Sequence, residues 1–196
     1  MPKIPLKSRK VTYLYGFNRN TIDHSSQFLF QTYGTKAGDG IMKWDTLDEE
    51  PCSLSRTVAV VGDRWTLLIL RECFLRVRRF EAFQSSLQIT RHLLSERLKK
   101  LVRFGILRRV PYSEAPKRYE YILTQKGLDL YPIIMAMVHW GDSHMGDERG
   151  RPLLHEHKTC GKLFDPVMVC SECGEPLHAK QVHVHAGPGR RGADAA

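Results

Sequence analysis

The stretch RFEAFQSSLQITRHLLSERLKKLVRFGILRRVPYSEAPKRYEYILTQ, Arg79 to Gln125, decides the fold. Phe80, Phe83 and Leu87 open it, spaced so that their side chains share one face of a short helix. Ser85 to Thr90 supplies a turn, and the Thr90 hydroxyl suits an N-cap, where it can accept from the free N–H groups of the next turn. A second helix follows, with Leu94, Leu98 and Leu101, flanked by Leu93 and Val102, as its buried stripe. Its other side carries Arg91, His92, Ser95, Lys99, Lys100 and Arg103, and Gly105 stands where a left-handed C-cap is wanted. Ile106 to Val110 then reads as a strand, Pro111 to Pro116 as a polar, proline-bounded loop, and Tyr119 to Leu123 as a returning strand. Thr124 caps another helix. Helix, turn, helix, strand, loop, strand makes a mainly α chain with a small β-wing, the order of a winged helix-turn-helix.

Charge agrees with that order. The 196-residue chain carries a formal net charge of +9. Between Arg71 and Arg118 there are thirteen Lys/Arg and four Asp/Glu, a net +9, so the other residues, seventeen against seventeen, are neutral. The whole excess lies on the helix-turn-helix and wing, which is the footprint of a polyanion binder. The second helix fits the major groove of double-stranded DNA in width, and the basic loop can reach a neighbouring groove or phosphates.

The remaining composition narrows the class. An apolar content of 42% suffices for a core. No run is long and apolar enough to span a bilayer, so no membrane partner is expected. The basic N-terminus lacks an apolar signal core, and five unevenly placed cysteines do not form a secreted disulfide framework. A cytoplasmic location follows as the expectation. Residues 1–41, basic and then rich in Asn, Ser, Gln and Gly without period, are read as a disordered N-terminal extension, the alternative being a basic arm along phosphates. Cys52 to Val61 reads as a helix with Leu54, Val58 and Val61 on one face, and Asp63 caps the next, Arg64 to Phe74, with Trp65 in the core. Leu128 to Met145 reads as one last helix whose broad stripe (Leu130, Ile133, Ile134, Met137, Trp140) needs more cover than a small domain gives. A polar linker from Gly146 to Pro152 leads to a Cys/His-bearing segment over 153–185, and 186–196 is low-complexity tail, expected to be disordered.

The words GDRWTLLILRE, ITRHLLSERLKKLVRFGIL, RYEYILTQKG and MVHWG stand here in the order and spacing of the HxlR-type winged helix-turn-helix transcriptional regulators, within the MarR-like superfamily. The chain resembles that family from Cys52 to Met145, within a domain placed at residues 45–146. The resemblance implies a homodimer built through the N- and C-terminal helices of this domain. It implies a palindromic operator, with a small molecule or a redox signal as input. It also implies a start near Met42, since family members begin shortly before the cysteine. No chemistry of its own is expected, so the chain is not read as an enzyme.

The expected DNA contacts are Thr90, Arg91, His92, Ser95, Arg97, Lys99, Lys100, Lys117 and Arg118. Arg91 and His92 sit in the first turn, which approaches base edges, and an Arg there can bond guanine bidentately. Ser95 and Lys99 suit phosphates. Lys117 and Arg118 match the family's wing position and would reach phosphates or a minor groove. Two roles are open for Arg97: DNA contact, or pairing inside the fold with Glu72, Glu81 or Glu96. Cys52, at a helix start with Arg56 one turn on, is the redox-sensing candidate, although Glu49 and Glu50 oppose its thiolate. Cys73 reads as core. His157-x2-Cys160 and Cys170-x2-Cys173, nine residues apart and each followed by Gly, give the four N/S ligands of a zinc-ribbon-like tail with a structural Zn2+ ion. His155 and His178 compete for the fourth position. Two rivals remain. One is a non-specific architectural nucleic-acid binder with a structural zinc. The other is a zinc enzyme, for which only Glu172 and Glu175 stand near the second pair.

Overall fold

A computed structural model describes residues 52–188. The expectations for 1–41, for Glu49 and Glu50, for a start at Met42 and for residues 189–196 lie outside the described residues. The elements are helices α1 (Ser53–Val61), α2 (Arg64–Phe74), α3 (Phe80–Leu87) and α4 (Arg91–Arg103), strands β1 (Leu107–Glu114) and β2 (Lys117–Leu123), and helices α5 (Gln125–Leu128) and α6 (Tyr131–His144). Beyond them come two short strands, β3 (Glu156–His157) and β4 (Lys162–Leu163), and a turn of 3-10 helix at Ala179–Gln181. The architecture is mainly helical with a small antiparallel wing, as the sequence predicts.

Local signals start and stop these helices. Asp63 accepts from the amides of Trp65 (2.9 Å) and Thr66 (3.0 Å) and begins α2. Thr90 accepts from Leu93 N–H and begins α4. At the other end of α4, Gly105 at φ +69° lets its own N–H reach Val102 O while Ile106 N–H reaches Leu101 O, which satisfies two carbonyls the helix leaves open. Thr124 Oγ1 accepts from Gly127 N–H and donates to Gly105 O at 2.6 Å, so one hydroxyl ties the start of α5 to the end of α4.

The buried stripe of α4 (Leu94, Leu98, Leu101) meets Ile69 and Leu70 of α2, Phe83 of α3, and Ile106 and Leu107 at the wing base, with Ile134 of α6. Full burial of a side chain of this size contributes about 1.5–3 kcal/mol. A buried polar link joins α2 to α3: the Ser86 hydroxyl donates to Glu72 Oε2 at 2.5 Å, and Arg71 pairs with Oε1 of the same carboxylate at 2.6 Å. Trp65 borders this core half-buried.

Three expectations need correction. The turn before α4 is Gln88 to Thr90, because Ser85 and Ser86 complete α3 and Gln88 takes the left-handed conformation that ends it. The wing loop is the two-residue turn Ala115–Pro116, since β1 runs on to Glu114 and β2 starts at Lys117. Pro111 did not stop β1 because it sits at the register shift between Pro111 and Ser113, the kind of bulge where a missing N–H is tolerated. The last helix begins at Tyr131 and ends at His144, not at Leu128 and Met145: Pro132 has no N–H to continue α5, and Asp129–Leu130 separates the two pieces. The expected apolar face of α1 is present, with Val61 buried and Leu54 (70%) and Val58 exposed.

Candidate nucleic-acid interface

At about 100° per residue, Arg91, Ser95, Lys99, His92 and Arg103 fall within roughly 120° of the α4 circumference. Arg91, His92, Lys99 and Arg103 are exposed there and Ser95 is half-buried. His92 Nε2 lies 3.3 Å from Glu96, one turn along. The Arg91 guanidinium sits over the Phe80 ring at 5.1 Å, which leans it toward the wing.

The wing completes the surface. A cleft of about 400 Å³ opens between α3, the first turn of α4 and the hairpin, lined by Phe80, Arg91, Tyr112, Lys117, Arg118 and Tyr119. The structure therefore brings the predicted first-turn residue and both predicted wing residues to one edge. Aromatic rings carry its cations: Arg79 lies 4.5 Å over Tyr112, and Arg109 (4.7 Å) and Lys117 (5.9 Å) approach the Tyr119 ring. Arg79 also pairs with Glu120 at 3.2 Å, and Tyr121 N–H bonds Arg78 O, so the segment before α3 adds to the edge of β2. Arg79, Arg109 and the tyrosines are functional candidates absent from the sequence reading. For Arg109 and the tyrosines the signal was the alternation of RRVPY against RYEY, hidden once Pro111 was taken as a loop.

Arg97 and Lys100 are placed differently. Arg97 falls roughly 120° beyond Arg103 on the helix, toward the core. Its Nη2 meets Asp63 Oδ2 at 3.0 Å, so its partner is the α2 cap and none of Glu72, Glu81 or Glu96. Burial alone would raise the Asp63 carboxyl, but the Thr66 amide and the Arg97 guanidinium outweigh it and hold the group below the usual carboxylate range. Lys100 is half-buried beside this pair, and desolvation lowers its pKa. Thr90 spends its hydroxyl on the α4 cap.

Cys52 stands at the N-cap position of α1. The Ser55 N–H, the Ser55 hydroxyl and the Leu54 N–H, together with Arg56, lower its thiol pKa. Cys73 is buried, and desolvation, aided by Glu72, pushes its thiol up to about 12. In the tail, Cys160 Sγ lies 3.5 Å from His157 Nδ1, and hydrogen bonds from the Cys173 and Glu172 amides lower the Cys170 thiol. Among the described residues, no three His, Cys, Asp or Glu side chains converge on a common point, so the His157/Cys160 and Cys170/Cys173 pairs stand apart. No described helix is long and apolar enough to cross a membrane.

A tripartite core, an exposed basic helix and a basic hairpin beside its first turn define a winged helix-turn-helix protein of the transcription-regulator class. The HxlR-like helix-turn-helix family pattern matches residues 60–149. An uncharacterized HTH-type transcriptional regulator of Mycobacterium tuberculosis, Rv3095, is 46% identical over 137 residues, covering 70% of this chain and 87% of that protein. YdeP of Bacillus subtilis, an uncharacterized HTH-type transcriptional regulator, is 32% identical over 98 residues, 50% of this chain and 77% of its own length. Among solved structures, PA1607, provisionally described as a transcription factor, superposes with a TM-score of 0.66 at 30% identity, covering 72% of this chain and 99% of that one. PA1374 of Pseudomonas aeruginosa, described in the same way, gives 0.50 at 36% identity over 70% of this chain and 93% of its own. The chain belongs to the HxlR-like helix-turn-helix family, and the relatives it matches are described as HTH-type transcriptional regulators.

Proposed function

We propose that this regulator binds a palindromic operator as a homodimer, with the first turn of α4 reading bases and the wing holding backbone. The observation that carries this is the shared edge of Arg91, Lys117 and Arg118 beside one cleft, on a module that bears the chain's whole excess of positive charge. Arg91 reads a base edge, while Ser95, Lys99, Lys117 and Arg118 set register on phosphates. Arg97 and Lys100 act indirectly, by fixing α4 against Asp63. Dimer formation is supported by the apolar surface left on α1 (Leu54, Val58) and α6 (Ile133, Met137, Trp140). Cys52, a surface thiol with a lowered pKa, is the site for redox input.

Fluorescence anisotropy with DNA from the gene's own upstream region, against scrambled DNA, tests the reading. Binding selective for the upstream DNA, lost in Arg91→Ala and weakened equally for both DNAs in Lys117→Ala, is the expected result. Equal binding of both DNAs by the parent overturns sequence reading and leaves a non-specific architectural binder, whose affinity depends steeply on salt without a specificity ratio.

A further inference from the structure

We propose that residues 153–185 form a zinc-ribbon-like module in which His157, Cys160, Cys170 and Cys173 together hold one structural zinc ion. The two ligand pairs are built alike. In the first, Cys160 and Gly161 N–H both bond His157 O, at 3.1 and 2.8 Å, and β3–β4 closes the turn. In the second, Gly174 N–H bonds Cys170 O and Cys170 N–H bonds Glu175 O, each at 2.9 Å, with Val169 bridged to Pro176. Gly161 at φ +64° and Gly174 at φ +75° follow the second ligand of each pair, the backbone state that a tight turn around a metal needs and that glycine adopts without strain. Two knuckles of one design, nine residues apart, match the demand of tetrahedral zinc for four N/S donors.

The packing of this segment points the same way. From 153 to 188 no residue is buried, and its apolar side chains stand open, Met168 at 69% and Val167 at 64%. A folded stretch this short without a core needs a staple, by disulfide or metal. Cys160, Cys170 and Cys173 form no disulfide here and stand available as thiolate ligands. Among the described residues no three such side chains are grouped so as to hold a metal, so zinc requires the two pairs to close on one another, and binding and closure are one event, as in other small metal-stapled domains. The stretch between the knuckles is already anchored: Asp165 pairs with Arg151 and lies 3.8 Å from His139 of α6, and Arg151 also faces Asp142 at 4.0 Å. The closed module thus sits beside α6. With four protein donors and no open position, the ion is structural.

The inference does not rest on the DNA-binding reading, since metal content is measured without DNA. The full chain is purified from zinc-supplemented cells, desalted, and its metal determined by mass spectrometry. About one zinc per chain is expected. It should fall below roughly a tenth of that in both Cys160→Ser and Cys173→Ser and persist in Cys52→Ser, with helical circular dichroism unchanged. In case a serine variant does not fold, Co2+ is also titrated into the metal-stripped parent, where thiolate-to-cobalt charge-transfer absorption is expected. A parent without zinc, zinc retained in either tail variant, cobalt bound without the thiolate band, or a disulfide among the three tail cysteines overturns the proposal.

Discussion

The Asp63 carboxylate accepts from the Trp65 and Thr66 amides while Arg97 reaches it from α4 at 3.0 Å, so a single side chain starts one helix and docks another. Loss of a cap of this type costs about 0.5–2 kcal/mol. Asp63→Ala should exceed that range, roughly 2–3 kcal/mol, because it also strands a half-buried guanidinium. Asp63→Asn keeps the cap and should cost about half as much; urea denaturation measures both. Since the folded pKa of Asp63 is lowered, its contribution is fully present above the ordinary value of 3.8 and is lost as pH falls through the lowered one. The acid side of the stability–pH curve should flatten in Asp63→Asn, and an unchanged slope there would refute the ion pair. The two cysteines of the DNA-binding domain should also part. Alkylation followed by mass spectrometry should modify Cys52 with a midpoint below the ordinary thiol value of 9.0, while Cys73, held at about 12 and buried, reacts only on unfolding. Equal rates for both would remove Cys52 as a sensor.

Two glycines at the joint between α4 and the wing show what an element boundary requires. At Gly105 the backbone is left-handed, φ +69°, and an added Cβ would meet nothing within 4 Å. Gly105→Ala should therefore cost about 1–2 kcal/mol of backbone strain with the structure unmoved. At Gly127 an added Cβ would lie 2.3 Å from Ile106 O, at the start of the wing. Gly127→Ala should displace the α5–β1 contact, cost more than Gly105→Ala in thermal melts, and weaken DNA binding through the wing; an equal cost for both would contradict the close approach. The elements legible in the sequence were those set within a turn or two: the caps Asp63, Thr90 and Thr124, the Leu94/Leu98/Leu101 stripe, and the Gly105 stop. Those misread depend on partners far along the chain. Pro111 reads as a loop until β2 is placed opposite it, and Arg97 has three nearer acids than Asp63, thirty-four residues away, which only the α2–α4 packing selects. The break before α6 had its sign in Pro132, which was outweighed by an apolar period running across it. In the site, Arg91, Lys117 and Arg118 were legible from charge, whereas the stacking of Arg79 on Tyr112 and of Arg109 on Tyr119 needed the strand register.

For the molecule as a whole, the unanswered demand is the apolar surface of α1 and α6. Leu54, Ile133, Met137 and Trp140 are 43–70% exposed, while Ile134 and Met135 on the inner side of α6 are buried, so α6 is apolar on both its inner and its outer face. A face of this kind fits a two-fold contact in which each helix meets its own copy, and such a contact needs roughly 1,000 Å² or more to persist. Placing a carboxylate in it strands a charge in an apolar interface twice, once from each copy. Trp140→Glu and Met137→Glu should thus raise the dimer dissociation constant at least about a hundredfold, equivalent to roughly 2.7 kcal/mol. The folded single chain should lose little, since surface changes of this kind fall within about 0.5 kcal/mol. Light scattering after gel filtration should show the parent at twice the 22.6 kDa chain mass and the variants near one chain. Operator affinity should collapse with dimerisation, because each monomer keeps a complete α4 and wing but loses the second half-site. A parent that already runs as one chain, or a Trp140→Glu variant that stays at twice the mass, would mean that these faces meet something other than a second copy, and the palindromic operator would go with it.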